Sequence, residues 1–117
     1  MTQKLNPVQF VSQYNAEAAA AFQELRKAAL AGPLDERACE LIVIGALATT
    51  GEEGSFKVHA RRLELMGAPA EELRQAVMVT IGASTTFSQV VAALKWVDDV
   101  FAEGACRSAA RSIRWFS

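Results

Sequence analysis

From Leu41 to Ala48 the chain reads Leu-Ile-Val-Ile-Gly-Ala-Leu-Ala, an unbroken apolar run between the charged stretch Asp35–Glu40 and the polar stop Thr49-Thr50-Gly51. At 3.6 residues per turn these side chains cover the whole circumference of a helix and leave no polar stripe for water. Such a helix has to be central, with other elements packed around it. Asp35 is placed to cap its start and Gly51 to end it, which predicts a helix over 36–50. One residue contradicts the apolar setting. Glu40 sits at the edge of the run, and a carboxylate buried among Ala, Leu, Ile and Val must be paired, protonated or functional.

The remaining segments read as helices divided by Gly and Pro. Asn6-Pro7 opens the first, with Asn as N-cap, Pro in the first turn and Gln9 able to complete a capping box. This helix is expected to run through the alanine-rich stretch to about Leu30, before Ala31-Gly32-Pro33. A third helix is expected from about Glu53 to Met66, stopped by Gly67. Pro69 starts a fourth, with Glu71 and Glu72 in its first turn complementing the dipole. After the small-residue break from Gly82 to Thr86, a fifth covers about Phe87 to Ala102. Beyond Gly104 lies a short tail with Arg107, Arg111 and Arg114 and no acid; its Trp115-Phe116 are expected to dock on the body or on a neighbouring subunit. No strand alternation of useful length, repeat or linker is present. The expected fold is all-α: a compact bundle of about five to six helices in one domain over 1–117, core about 6–102, C-terminal tail 103–117.

Hydrophobic residues make up 51% of a chain of 117, and a chain this short keeps much of its surface exposed when folded. The surplus points to a subunit interface, so a homo-oligomer is expected. A formal charge of −1 supplies no field for nucleic acid or acidic lipid, and the apolar runs are too short to span a membrane. The N-terminus carries no cationic segment followed by an apolar run, so no secretory leader is expected. Cys39 and Cys106 form neither CxxC nor a metal-ligand spacing; two thiols in a reducing cytoplasm are expected, with no metal and no cofactor.

The candidate chemistry surrounds the one histidine, His59. Ser55 lies four residues before it and Glu52 seven, so all three share a face of the third helix. A carboxylate, a hydroxyl and an imidazole in a row can pass or hold a proton, and Glu40 lies one helix earlier. Two readings of these residues stand open. In one, His59 is structural, Ser55 a local cap, Glu52 a solvated charge, and Lys57, Arg61 and Arg62 a wet face. In the other, His59 acts on a proton and Arg61, Arg62 or Lys57 holds a substrate carboxylate.

Three stretches carry a resemblance. They are Leu34-Asp35-Glu36-Arg37-Ala38-Cys39-Glu40-Leu41, then Gly51-Glu52-Glu53-Gly54-Ser55-Phe56-Lys57-Val58-His59, then Leu65-Met66-Gly67-Ala68-Pro69-Ala70-Glu71-Glu72-Leu73. Over roughly Asn6 to Ala102 the chain resembles the carboxymuconolactone decarboxylase-like family, whose superfamily includes the alkylhydroperoxidase D-like proteins. The peroxidase branch is marked by a Glu and then CxxCxxxH. Anchoring on His59 puts Glu40 on that Glu, but Glu52 and Ser55 on the two cysteines. Thiol–disulfide exchange needs an attacking thiolate and a resolving thiol, which neither supplies, so an alkylhydroperoxidase-type antioxidant activity is disfavoured. The decarboxylase branch also lacks the cysteine pair, and Gly51-Glu52-Glu53 precedes His59 at similar spacing. This chain has Gly82-Ala83-Ser84 where that branch often has Gly-x-Pro.

The resemblance implies a carboxy-lyase of aromatic catabolism, acting on a small carboxylated lactone or related organic acid. His59 would be the general acid/base, supported by Glu40, Glu52 and Ser55, with Lys57 and Arg62 on the substrate. It also implies a homo-trimer or homo-hexamer with the pocket near subunit contacts, where Trp96, Phe101 or Trp115-Phe116 would line it. The alternative is a non-catalytic oligomeric small-molecule-binding protein on the same scaffold.

Overall fold

The computed structural model describes residues 5–116, with side chains described as far as Arg111. Among the described residues there are six helices and no strand: α1 (Pro7–Ser12), α2 (Ala16–Leu30), α3 (Glu36–Thr50), α4 (Glu53–Leu65), α5 (Ala70–Met78) and α6 (Phe87–Phe116). They fall into two compact units, residues 1–35 and 36–117.

The first unit corrects one expectation. The Asn6 capping box forms, with Gln9 N donating to Asn6 Oδ1 at 2.8 Å and Asn6 N to Gln9 Oε1 at 3.0 Å. The helix nevertheless ends at Ser12, and Asn15 opens a second one by accepting from Ala18 N at 2.9 Å. An Asn side chain competes with the helix for nearby backbone N–H groups, and here the cap wins over continuation. Phe10 and Tyr14 stack obliquely at 5.3 Å.

In the second unit α3 packs against α4, α5 and α6. The core consists of Ile44 and Ala48 from α3, Phe56, Ala60 and Leu63 from α4, Leu73 and Val77 from α5, and Val90, Ala93, Val97 and Val100 from α6. Trp96 meets Phe56 edge-on at 5.3 Å, so it belongs to this core. The α4 stop forms as expected: Gly67, at φ 91°, lets Ala68 N reach Leu63 O and Gly67 N reach Glu64 O, both at 3.0 Å. These two bonds satisfy carbonyls that the helix end would otherwise orphan. The expectation for α3 is met on one side only. Ile42 is 59% exposed in the protomer, and Ala46 is exposed beside it.

The C-terminal segment differs from the expected stop. α6 runs without a break through Gly104. A Cβ at Gly104 would meet the carboxylate of Glu64 on α4, so this glycine leaves room for the end of that side chain and does not terminate the helix. Ion pairs join the same two helices along their length: Lys57–Asp99 at 3.2 Å, Arg61–Glu103 at 2.5 Å and Glu64–Arg107 at 2.9 Å. Arg107 is thereby held by an acid, and Phe101 faces the space beside it. The side chains of Arg114, Trp115 and Phe116, and with them the expected docking, lie outside the described residues.

Candidate functional site

The turn at Gly51 sends α4 back along α3, and this folds Glu40 against His59. Nδ1 of His59 lies 2.6 Å from Oε2 of Glu40. The Glu40 side chain is 6% accessible and that of His59 16%. The other Glu40 oxygen, Oε1, faces Nη1 of Arg62 at 3.6 Å, and the same Nη1 stands 3.5 Å from His59 Nδ1. The carboxylate that the sequence required to be paired therefore has a partner on each oxygen. With a carboxylate as acceptor, Nδ1 carries the hydrogen and Nε2 is left for other chemistry.

The other candidates divide. Glu52 stands at the start of α4, but its side chain makes no capping bond and is exposed. Ser55, one turn before His59, is also exposed. Among the described residues, neither bonds to His59 or Glu40. Lys57 turns away from the pair, toward Glu53 at 3.3 Å and Asp99 at 3.2 Å. The Asp99 hydrogen bond, helped by Glu53 and opposed by partial burial, raises its ammonium above the usual lysine range. Of the three cations weighed for a substrate carboxylate, the structure brings Arg62 to the pair and takes Lys57 and Arg61 to α6.

Two cavities occupy other parts of the second unit. One, of about 410 Å³, is an apolar groove between α3 and α5 lined by Leu41, Ile42, Ala46, Ala76 and Val79, with hydroxyls of Thr49, Thr80 and Ser84 at its margin. The other, of about 350 Å³, is polar and lies between α4 and α6 beside Glu64, Arg107 and Arg111. Neither is lined by His59 or Glu40. The hydroxyl cluster at the first groove was not singled out from sequence. Thr49 Oγ1 is 2.6 Å from Thr85 Oγ1, and Gln89 Nε2 donates to Thr49 O at 2.9 Å, so these groups tie the end of α3 to the start of α6.

Residues 16–99 match the family model described as the carboxymuconolactone decarboxylase family. The chain belongs to that family. For this carboxymuconolactone decarboxylase-family protein the matched span holds Glu40, Glu52, Ser55, Lys57, His59 and Arg62, and it ends inside α6. Comparison with curated proteins and with solved structures finds no match. No helix among the described residues is long and apolar enough to cross a membrane.

Proposed function

We propose that this protein is a carboxy-lyase of its family, acting on a small carboxylated lactone or related organic acid, with His59 as general acid/base. The observation that carries the reading is the 2.6 Å contact between His59 Nδ1 and the buried Glu40. It orients the ring and leaves Nε2 as the atom that can give or take a proton. In a conjugated lactone bearing a carboxylate, the bond to the carboxyl carbon breaks and carbon dioxide leaves. The electron pair flows through the double bond toward the lactone carbonyl, and His59 Nε2–H protonates the carbon chain. Water then restores the imidazolium proton. Ser55 offers a hydroxyl to the charge building on the lactone oxygen. Glu52, at the N-cap of α4, is the second carboxylate in support.

The working form we propose is a homo-oligomer, a trimer or hexamer. Support comes from the large apolar side chains the protomer leaves in water, among them Ile42, Val79 and Phe87 at 59, 67 and 74% exposure. Val58 and Leu65 on α4, before and after Arg62, are exposed as well.

The test is carbon dioxide release from unsaturated γ-lactone carboxylates by the wild type and by His59→Gln. The wild type should turn over, and the variant should lose roughly a hundredfold or more while its sedimentation is unchanged. Full turnover by His59→Gln would end the proposal. A second reading, ligand binding without turnover, has one observation in its favour: the two cavities described above are not lined by His59 or Glu40. It predicts saturable binding with no carbon dioxide from any such lactone.

A further inference from the structure

We infer that Arg62 is a carboxylate-binding subsite that Glu40 holds in reserve, and that a small ligand with an apolar body takes the guanidinium over. The argument deepens the reading of His59 and Glu40 as a ligand-facing pair and rests on it. Three cations lie on α4 from Lys57 onward. Lys57 is held by Glu53 and Asp99, and Arg61 donates to Glu103 at 2.5 Å. Arg62 differs. Its contact with Glu40 Oε1, at 3.6 Å, is an ion pair too long for a hydrogen bond. Its 3.5 Å approach to His59 Nδ1 meets an atom whose hydrogen is already given to Glu40.

The Glu40 carboxylate cannot follow Arg62 outward, because it is nearly enclosed and fixed by His59. The Arg62 side chain is 54% exposed and can move. A guanidinium has five N–H donors in a planar fork that matches a carboxylate edge on. Among the described residues, Arg62 commits none of these to a well-formed bond. A carboxylate arriving from solvent can therefore offer two good hydrogen bonds where Glu40 offers one long contact. Val58 and Leu65 lie four residues before and three after Arg62, so they share its face of the helix. They are 45% and 65% exposed. Apolar surface on both sides of the cation selects an organic acid over a free inorganic anion, which would gain charge and no burial.

Binding can be measured without turnover. A saturated γ-lactone carboxylate lacks the conjugated acceptor and cannot lose carbon dioxide, and its methyl ester has the same body without the charge. Titration of each into the full chain, followed by NMR, should show the acid binding about tenfold tighter than the ester. Arg62→Gln should erase that difference, and Arg62→Lys should restore part of it. Glu40→Gln keeps an acceptor for His59 but removes the competing charge, so it should tighten the acid several-fold and leave the ester alone. The inference falls if acid and ester bind alike, if Arg62→Gln binds the acid as the wild type does, or if Glu40→Gln fails to tighten it. Inorganic phosphate binding as tightly as the lactone acid overturns the ligand class. If this pattern holds while no lactone releases carbon dioxide, the catalytic reading fails and the subsite stands. If turnover is found without the pattern, the subsite alone fails.

Discussion

Glu40 and His59 are nineteen residues apart and meet at 2.6 Å, each supplying what the other needs. The buried carboxylate gains a donor, and the imidazole gains a fixed orientation. Glu40→Ala removes the acceptor from His59 and the counter-charge from Arg62, leaving a cavity where the side chain stood. Unfolding in urea should show a loss of about 1–3 kcal/mol. Glu40→Gln, which can still accept from Nδ1–H, should lose clearly less. Equal stability of the two variants would mean that neither the retained acceptor nor the filled volume stabilises the fold.

Gly104 provides a test of how firmly Glu64 is held. On an ordinary helix surface, Gly→Ala stabilises by roughly 1 kcal/mol, because alanine is the better helix former. At position 104 a methyl group would overlap the Glu64 carboxylate, which is itself bonded to Arg107 at 2.9 Å. The atoms in the way are the end of a flexible side chain, so Glu64 can swing aside at the expense of its Arg107 bond, and Gly104→Ala should forfeit most of the usual gain. In a Glu64→Ala background, where nothing has to move, the same substitution should regain it. Thermal or urea unfolding of the single and double variants measures the coupling directly.

Glu72 on α5 is bonded by Arg37 of α3, with Nε at 2.7 Å from Oε1 and Nη2 on Oε2. The Arg37 hydrogen bonds hold its carboxyl below the ordinary glutamate range, against a smaller opposing effect of burial. A carboxyl depressed in the folded state binds its proton more weakly there than in the unfolded chain. The pair therefore contributes stability above the unfolded carboxyl pKa and loses it as pH falls through the folded one. Arg37→Ala should flatten the acid limb of the stability–pH profile and change the neutral-to-alkaline part little in slope. An acid limb as steep as the wild type's would remove Glu72 from the account.

What could be read from the sequence followed from rules that act within one element. The apolar run of α3, the Asn6 capping box and the Gly67 stop are local, and each forms. That Glu40 must find a partner also followed, because the cost of an unpaired buried carboxylate does not depend on the fold. The misses all depend on distant residues or on local competition. Gly104 looked like a stop because its neighbour Glu64 is forty residues away, and only the packing of α6 on α4 makes a missing Cβ useful. Asn15 looked like one polar position in a long helix, since its alternative role as a cap competes with continuation at similar energy. Lys57 and Arg62 looked equivalent. They are five residues apart on α4, so they point in different directions, and only the placement of α6 with Asp99 decides which one is taken from His59. Ser55 lies one turn before His59 on α4 and Glu52 precedes that helix as its N-cap residue, and neither bonds to the histidine.

Ile42 carries the last prediction. A helix apolar around its whole circumference is stable only where every side is covered, and α3 leaves Ile42 59% exposed on the rim of the groove it forms with α5. If a second copy covers that groove, a charge placed at its rim must be buried in the assembly, at a cost of several kcal/mol when unpaired. In an isolated protomer the same charge would sit in water at almost no cost. Ile42→Glu should therefore dissociate the oligomer while leaving the helical content of each protomer intact. Sedimentation together with far-ultraviolet circular dichroism separates these effects. The proposed assembly fails if the wild type sediments as a monomer at micromolar concentration. If Ile42→Glu sediments like the wild-type oligomer, the α3–α5 groove is not where the copies meet.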